Sequence, residues 1–200
     1  MAGLYIFSRH AETTLNVEQR VNGDPAVTTE LTDRGAEEAA RLGTQLAGLE
    51  LDLCIHTRFE RTRRTAELAL AGRDVPLRAE ALLDDIDIGE LEGSTIEDYR
   101  AWKRVHTRDV PFPGGESLDD AARRYAGAFR RLFELREEIV LVICHEIPIR
   151  YAVNAAAGST ELDGPVHVIA NATPYLFSAT AVARAAERID ELVGAAAPRA

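Results

Sequence analysis

Cysteine, methionine and tryptophan are nearly missing from this chain of 200 residues, which holds two, one and one of them. Two thiols cannot build the disulfide framework of a small secreted domain. Cys54 and Cys144 each lie in an apolar, strand-like run, the pattern of a buried structural thiol. Long apolar stretches are missing as well. No run approaches the ~20 residues that span a bilayer, and Leu4 to Phe7 is too short for the apolar core of a secretory signal and has no basic leader. Positive charge is in deficit: 23 Lys and Arg against 33 Asp and Glu leave a net charge of −10. That balance disfavours non-specific binding to nucleic acid or to an anionic membrane, though local arginines can still attract a small anion. His-x-His and His-Glu-x-x-His spacings, which would signal a metal site, do not occur. The chain shows no internal repeat and no linker, so the sequence predicts one domain over residues 1–200 in the cytoplasm.

What is present is an alternation of strand and helix patterns. Leu4–Phe7, Leu51–Ile55 and Ile139–Cys144 are apolar runs of strand length, the last apolar on both faces as a central parallel strand should be. Val75–Arg78, Val166–Ile169 and Tyr175–Phe177 are further strand candidates, with Pro76 placing the first of them at an edge or at a strand start. Helical spacing follows each main strand: about 33–49 behind Thr32 or Asp33 as cap, from Phe59 to a stop at Gly72, from Ser117 to about Arg136, from near Pro148 to Gly158, and over Ala179–Val193. Thr95–Val105 is a further helix candidate. The expected fold is α/β, a three-layer αβα sandwich with a mostly parallel central sheet.

Each main strand ends on basic residues: Arg9-His10 after the first, His56 to Arg61 after the second, His145 after the third. In a parallel sheet, side chains just past the carboxyl ends face the ligand crevice. Arginine presents forked donors to phosphate oxygens, and histidine can attack or carry protons near neutral pH. An acidic protein that gathers cations at three strand ends is fitted for a doubly negative group such as a phosphoryl.

The motifs around these residues resemble the histidine phosphatase superfamily, in its phosphoglycerate mutase-like branch. They are Arg9-His10-Ala11-Glu12-Thr13 with Asn16, Leu31-Thr32-Asp33-Arg34-Gly35, Arg61-Thr62-Arg63-Arg64-Thr65-Ala66, Asp85 with Gly89 and Glu92-Gly93, Gly114-Gly115-Glu116-Ser117, and His145 with Pro148-Ile149-Arg150, in the family's order. The resemblance implies a phosphoglycerate mutase-like fold and assigns roles. His10 attacks phosphorus and becomes phosphohistidine; Arg9, Arg61 and His145 hold the phosphoryl oxygens; Asp85 protonates the leaving oxygen and then activates water; Asn16 and Gly23 belong to the substrate-binding loop. No metal and no cofactor are implied. The partner is a small phosphorylated substrate, and a homodimer is compatible with the family.

This chain departs from the family pattern in four places. Ala11 stands for glycine. His56-Thr57 stands for two small hydroxyl residues, which makes His56 a candidate pocket residue. Glu146 replaces the glycine after the second histidine and brings a carboxylate to the phosphate. The acid is an aspartate, with Asp84 and Asp87 as neighbouring alternatives. Arg58 competes with Arg61 by nearness to its strand; His106 and His167 read as surface or structural, Glu12 as a loop-ordering contact, and Tyr99, Trp102 and Phe112 as core or as a cap that selects the leaving group. The short interval from Gly93 to Gly114, with Arg100, Lys103, Arg104 and Arg108 as its cations, lacks the long basic insertion of the family's mutases and favours a phosphatase. Mutase-type transfer and a non-catalytic phospholigand-binding protein are the alternatives. Cys144 and Arg150 have the spacing of a cysteine phosphatase loop, but Pro148 removes a backbone N–H that such a loop must offer.

Overall fold

The computed structural model describes residues 3–195. Five strands, β1 (Leu4–Arg9), β2 (Leu53–His56), β3 (Leu77–Ala79), β4 (Ile139–Cys144) and β5 (Pro174–Ser178), form one sheet in the order β3-β2-β4-β1-β5. All neighbours run parallel except β5, which pairs antiparallel with β1. β1 and β4 take the centre because they are the longest apolar runs, buried on both faces. β3 is an exposed edge of three residues, and Pro76 stands just before its start.

Alternate residues of each strand enter two separate cores. Ile6, Cys54, Leu141 and Ile143 pack under α2 (Asp33–Gln45) and α3 (Glu60–Ala69), through Ala39, Leu42, Ala66 and Ala69. Tyr5, Phe7, Ile55, Val140 and Val142 pack under α5 (Leu118–Phe133), α6 (Glu146–Ala156) and α7 (Ala179–Ala195). Phe7 meets Phe129 and Phe177 edge-to-face at 5.8 and 5.1 Å; truncating such a core phenylalanine to alanine costs ~3–5 kcal/mol. Helix–sheet–helix layering is therefore set by the two-residue period of the strands. Two further helices lie among the described residues, α1 (Thr14–Val17) and α4 (Ile96–Val105), with single 3₁₀ turns at Ala81–Leu83 and Gly89–Leu91.

Several boundaries differ from the sequence expectation. α5 ends at Phe133, three residues before Arg136. The loop after His10 contains α1, capped reciprocally by Thr13 and Asn16. Thr32, not Asp33, caps α2. Val166–Ile169 is not a strand. The sheet edge beside β1 is taken by β5, and the backbone at Val166 is instead satisfied by the Asn154 side chain, whose Oδ1 accepts from the Val166 N–H and whose Nδ2 donates to the carbonyls of Leu162 and Val166. Both cysteines are free and fully buried.

Candidate active site

The parallel pairing sets Arg9 beside Cys144 and His56 beside Ile143. The residues that follow β1, β2 and β4 therefore emerge together at one end of the sheet. A cavity of about 370 Å³ opens there, and Arg9, His10, Asn16, Gly23, Arg61, Asp85 and Glu146 all line it.

His10 is 3% exposed. Its Nδ1 lies 2.8 Å from the Ala11 carbonyl oxygen. A carbonyl can only accept, so Nδ1 carries the proton and the Nε2 lone pair is left free. Burial, then the charges of Arg61 and Arg9, hold the imidazole well below its ordinary value of 6.5, so it is neutral and nucleophilic at physiological pH. The Ala11 N–H donates to Thr65 Oγ1, and Asn171 Nδ2 donates to the His10 carbonyl.

Arg61 is 4% exposed, with its guanidinium 4.2 Å above the Phe59 ring. Its Nη1 donates to Asn22 Oδ1, and its Nη2 lies 3.1 Å from each of the Asn22 carbonyl oxygen, Asp85 Oδ2 and His145 Nδ1. The Asp85 carboxyl is raised by burial against the opposing pull of Arg61, the direction a general acid needs. Asp85 Oδ1 also accepts from the Ile86 N–H at 3.0 Å. Arg9 donates through Nη1 to the Ile169 carbonyl at 3.1 Å and pairs with Glu146 Oε2 at 2.9 Å. The Nε atoms of Arg9 and Arg61 are buried without a hydrogen-bond partner.

His145 lies below the cavity surface at 0% exposure. Its Nε2 is 2.9 Å from Thr57 Oγ1, which is 2.8 Å from Thr62 Oγ1. Its Nδ1 faces Arg61 and lies 3.4 Å from Asp85 Oδ2. Burial and the charge of Arg61 keep this imidazole well below its ordinary value too. Neutral His145 therefore fixes the Arg61 fork from beneath and sits 5.6 Å from His10, ring to ring.

Other sequence candidates lie elsewhere. His56 does not line the cavity; its Nδ1 is tied to the Thr57 carbonyl at 2.7 Å, and the buried Thr57 turns inward to His145. Arg58 turns outward to Asp84, which also accepts from the Arg58 N–H and is thereby committed to structure. Asp87 accepts from the Gly89 N–H. Of the three aspartates, only Asp85 reaches Arg61. Glu12 orders the loop by accepting from Thr32 Oγ1. Phe112 is core, whereas Tyr99 packs against the core and also lines the cavity, and His167 stands at the cavity wall with exposed Val168. A second cleft of about 560 Å³ behind the acid loop shares Gly23 and Asp85 with the first.

This arrangement can grip a phosphoryl with two guanidinia, attack it with a neutral imidazole and protonate the oxygen that leaves. The family model of the histidine phosphatase superfamily, branch 1, matches residues 5–190. The chain belongs to that superfamily. A 2,3-bisphosphoglycerate-dependent phosphoglycerate mutase from a Methylobacterium strain is 34% identical over 179 residues, covering 80% of this chain and 83% of the relative. Among solved structures, a candidate alpha-ribazole-5'-P phosphatase from Escherichia coli matches with a TM-score of 0.76 at 25% identity, covering 88% of this chain and 90% of that one. YhfR from Bacillus stearothermophilus matches with a TM-score of 0.76 at 26% identity, covering 88% and 90%.

Within this superfamily fold, three residues that sequence reasoning passed over hold the site together. Asn22, in the turn before Gly23, accepts from Arg61. Glu92 clamps that turn by accepting from Asn22 Nδ2 and from the N–H groups of Gly23 and Asp24. Arg124, on α5, donates to the carbonyls of Leu82, Asp84 and Asp85 and pairs with Glu116, fixing the acid loop. The Glu-Gly and Gly-Gly-Glu-Ser motifs thus carry the only available sequence signal: their carboxylates needed partners. At Gly23, a Cβ would stand 2.0 Å from the Ile86 carbonyl oxygen, so glycine alone lets the 22–24 turn approach the acid loop.

Proposed function

We propose that this protein is a metal-independent phosphomonoester hydrolase that acts through a phosphohistidine intermediate on a small phosphorylated metabolite. The observation that carries the reading is the state of His10: neutral, its Nδ1 proton committed to the Ala11 carbonyl, its Nε2 free in a cavity lined by two arginines and an acid with a raised pKa. In the first step Nε2 forms a bond to phosphorus as the ester P–O bond breaks, and the Asp85 proton passes to the departing alkoxide. Arg9 and Arg61 neutralise charge on the non-bridging oxygens, and His145 keeps Arg61 aimed. In the second step the Asp85 carboxylate takes a proton from water, whose oxygen bonds to phosphorus as the P–N bond breaks. Phosphate leaves and both side chains return to their starting states.

The mutase relative favours a second reading, in which the phosphoryl returns to another hydroxyl. The test is turnover of a chromogenic phosphomonoester with and without chelator, followed by phosphoglycerate primed with its bisphosphate. A hydrolase releases inorganic phosphate, ignores chelator and is silenced in His10→Ala. Isomerised phosphoglycerate without net phosphate release establishes the mutase instead. Binding of phosphate esters with neither outcome leaves a phospholigand-binding protein.

A further inference from the structure

Besides the acid Asp85, the cavity wall carries one further carboxylate, and it opposes the capture of an anion. Glu146 is the first residue of α6, and its side chain is 32% exposed at the cavity wall. Unpaired N–H groups and the dipole at a helix start would otherwise favour a bound anion there. The carboxylate is bracketed by two guanidinia, with Oε2 2.9 Å from Arg9 Nη1 and Oε1 3.5 Å from Arg150 Nη1. Arg150 is itself held by Asp163 at 2.8 Å and by the His167 carbonyl at 3.3 Å. Glu146 is therefore a fixed negative charge beside the arginine that grips phosphate. Beyond it the walls turn apolar through Ile86, Ile88, Ile96, Tyr99 and Ile147.

We propose that Glu146 sets the substrate class. The site takes phosphomonoesters whose alcohol carries no second anion next to the ester and offers instead a hydroxyl or amino donor to Glu146, with an apolar body against the isoleucines. This rests on the phosphatase reading of the same site. A carboxylate or second phosphate adjacent to the ester would face Glu146 at close range. Two like charges ~5 Å apart, at an effective dielectric between that of a protein surface and water, weaken binding on the order of tenfold to a hundredfold. Arg100 and Lys103 line the same cavity from α4, so an anion carried far from the ester meets cations there; the exclusion applies to charge near Glu146. It also disfavours the bisphosphate that primes a mutase.

The test compares glycerol phosphate with phosphoglycerate, which differ by a hydroxymethyl group against a carboxylate. In wild type, kcat/KM favours glycerol phosphate by on the order of tenfold or more, and the preference collapses in both Glu146→Gln and Glu146→Gly. The same ratio is read as Kd on the His10→Ala background, where no turnover is needed. A wild-type ratio near one, or a preference that survives in both variants, overturns the proposal. Wild type inert on these two esters and on the chromogenic ester defeats the phosphatase reading, while the Kd ratio still decides the role of Glu146.

Discussion

Two imidazoles that stay neutral in the folded chain bind protons once it unfolds, and this links stability to pH. His10 and His145 are 3% and 0% exposed. Both are held well below 6.5, first by burial and then by Arg61 and its neighbouring charges. Above that value both states are neutral and stability is insensitive to these groups. Below it the unfolded chain takes up two protons that the native chain refuses, so stability falls as pH falls. Each such proton contributes a slope of ~1.4 kcal/mol per pH unit, and the pair ~2.7 kcal/mol per unit. Asp85 acts in the opposite sense. Its raised pKa lets the native chain bind a proton before the unfolded chain does, offsetting at most one proton in the window above the ordinary carboxylate range. The net slope therefore lies between ~1.4 and ~2.7 kcal/mol per unit below about pH 6.5. Urea unfolding from about pH 7.5 to about pH 5.5, at constant m-value, measures it. His10→Gln removes one titrating site, and its slope is shallower than wild type by ~1.4 kcal/mol per unit. A wild-type stability flat across that range, or an unchanged slope in His10→Gln, refutes the claim that these histidines are neutral.

The same electrostatics make further predictions for activity. The acid limb of kcat/KM lies below the free-histidine value, because His10 must be neutral to attack, and a profile falling already at pH 7 contradicts it. Asp85→Asn lowers kcat/KM, which reads transfer to His10, by ~10²–10⁴ for alkyl esters but much less for nitrophenyl phosphate, whose leaving group needs no proton; equal losses of kcat/KM on both esters contradict an acid role. Arg61→Lys keeps the charge but loses the fork that meets Asn22, Asp85 and His145, and kcat/KM drops by on the order of 10²–10³. Gly23→Ala forces the Ile86 carbonyl away, displaces Asp85, lowers kcat and destabilises the fold by ~1–3 kcal/mol, read by steady-state kinetics and urea unfolding. His56→Ala leaves kcat/KM essentially unchanged, in keeping with its place outside the cavity wall.

Much of the architecture was legible because it rests on local rules. The apolar runs of β1 and β4 announce a central parallel sheet, Pro76 an edge, and Ser117 and Thr32 the helix starts. Val166–Ile169 misled because its β-branched residues satisfy strand propensity whether or not a sheet edge is free; Asn154, Arg150 and Arg9 bond its backbone from other elements. The cations at strand ends were legible for the same topological reason. The support of the site was not, since Asn22 on Arg61, Glu92 on the 22–24 turn and Arg124 on the acid loop span 39 to 70 residues of sequence. Spacing alone could not rank Asp84, Asp85 and Asp87, whereas their hydrogen bonds separate them at once. β2 ends on His56, and its neighbour Thr57 turns inward to His145.

The central claim is covalent chemistry at one nitrogen. Wild-type protein is mixed with an excess of phosphomonoester, quenched in base within the first turnovers, and digested for mass spectrometry. The account predicts an acid-labile, base-stable phosphoryl group on the peptide containing His10, absent from His10→Ala and accumulating in Asp85→Asn with an activated ester. Turnover without any phosphorylated His10 peptide, or a phosphoryl group on another residue, contradicts it.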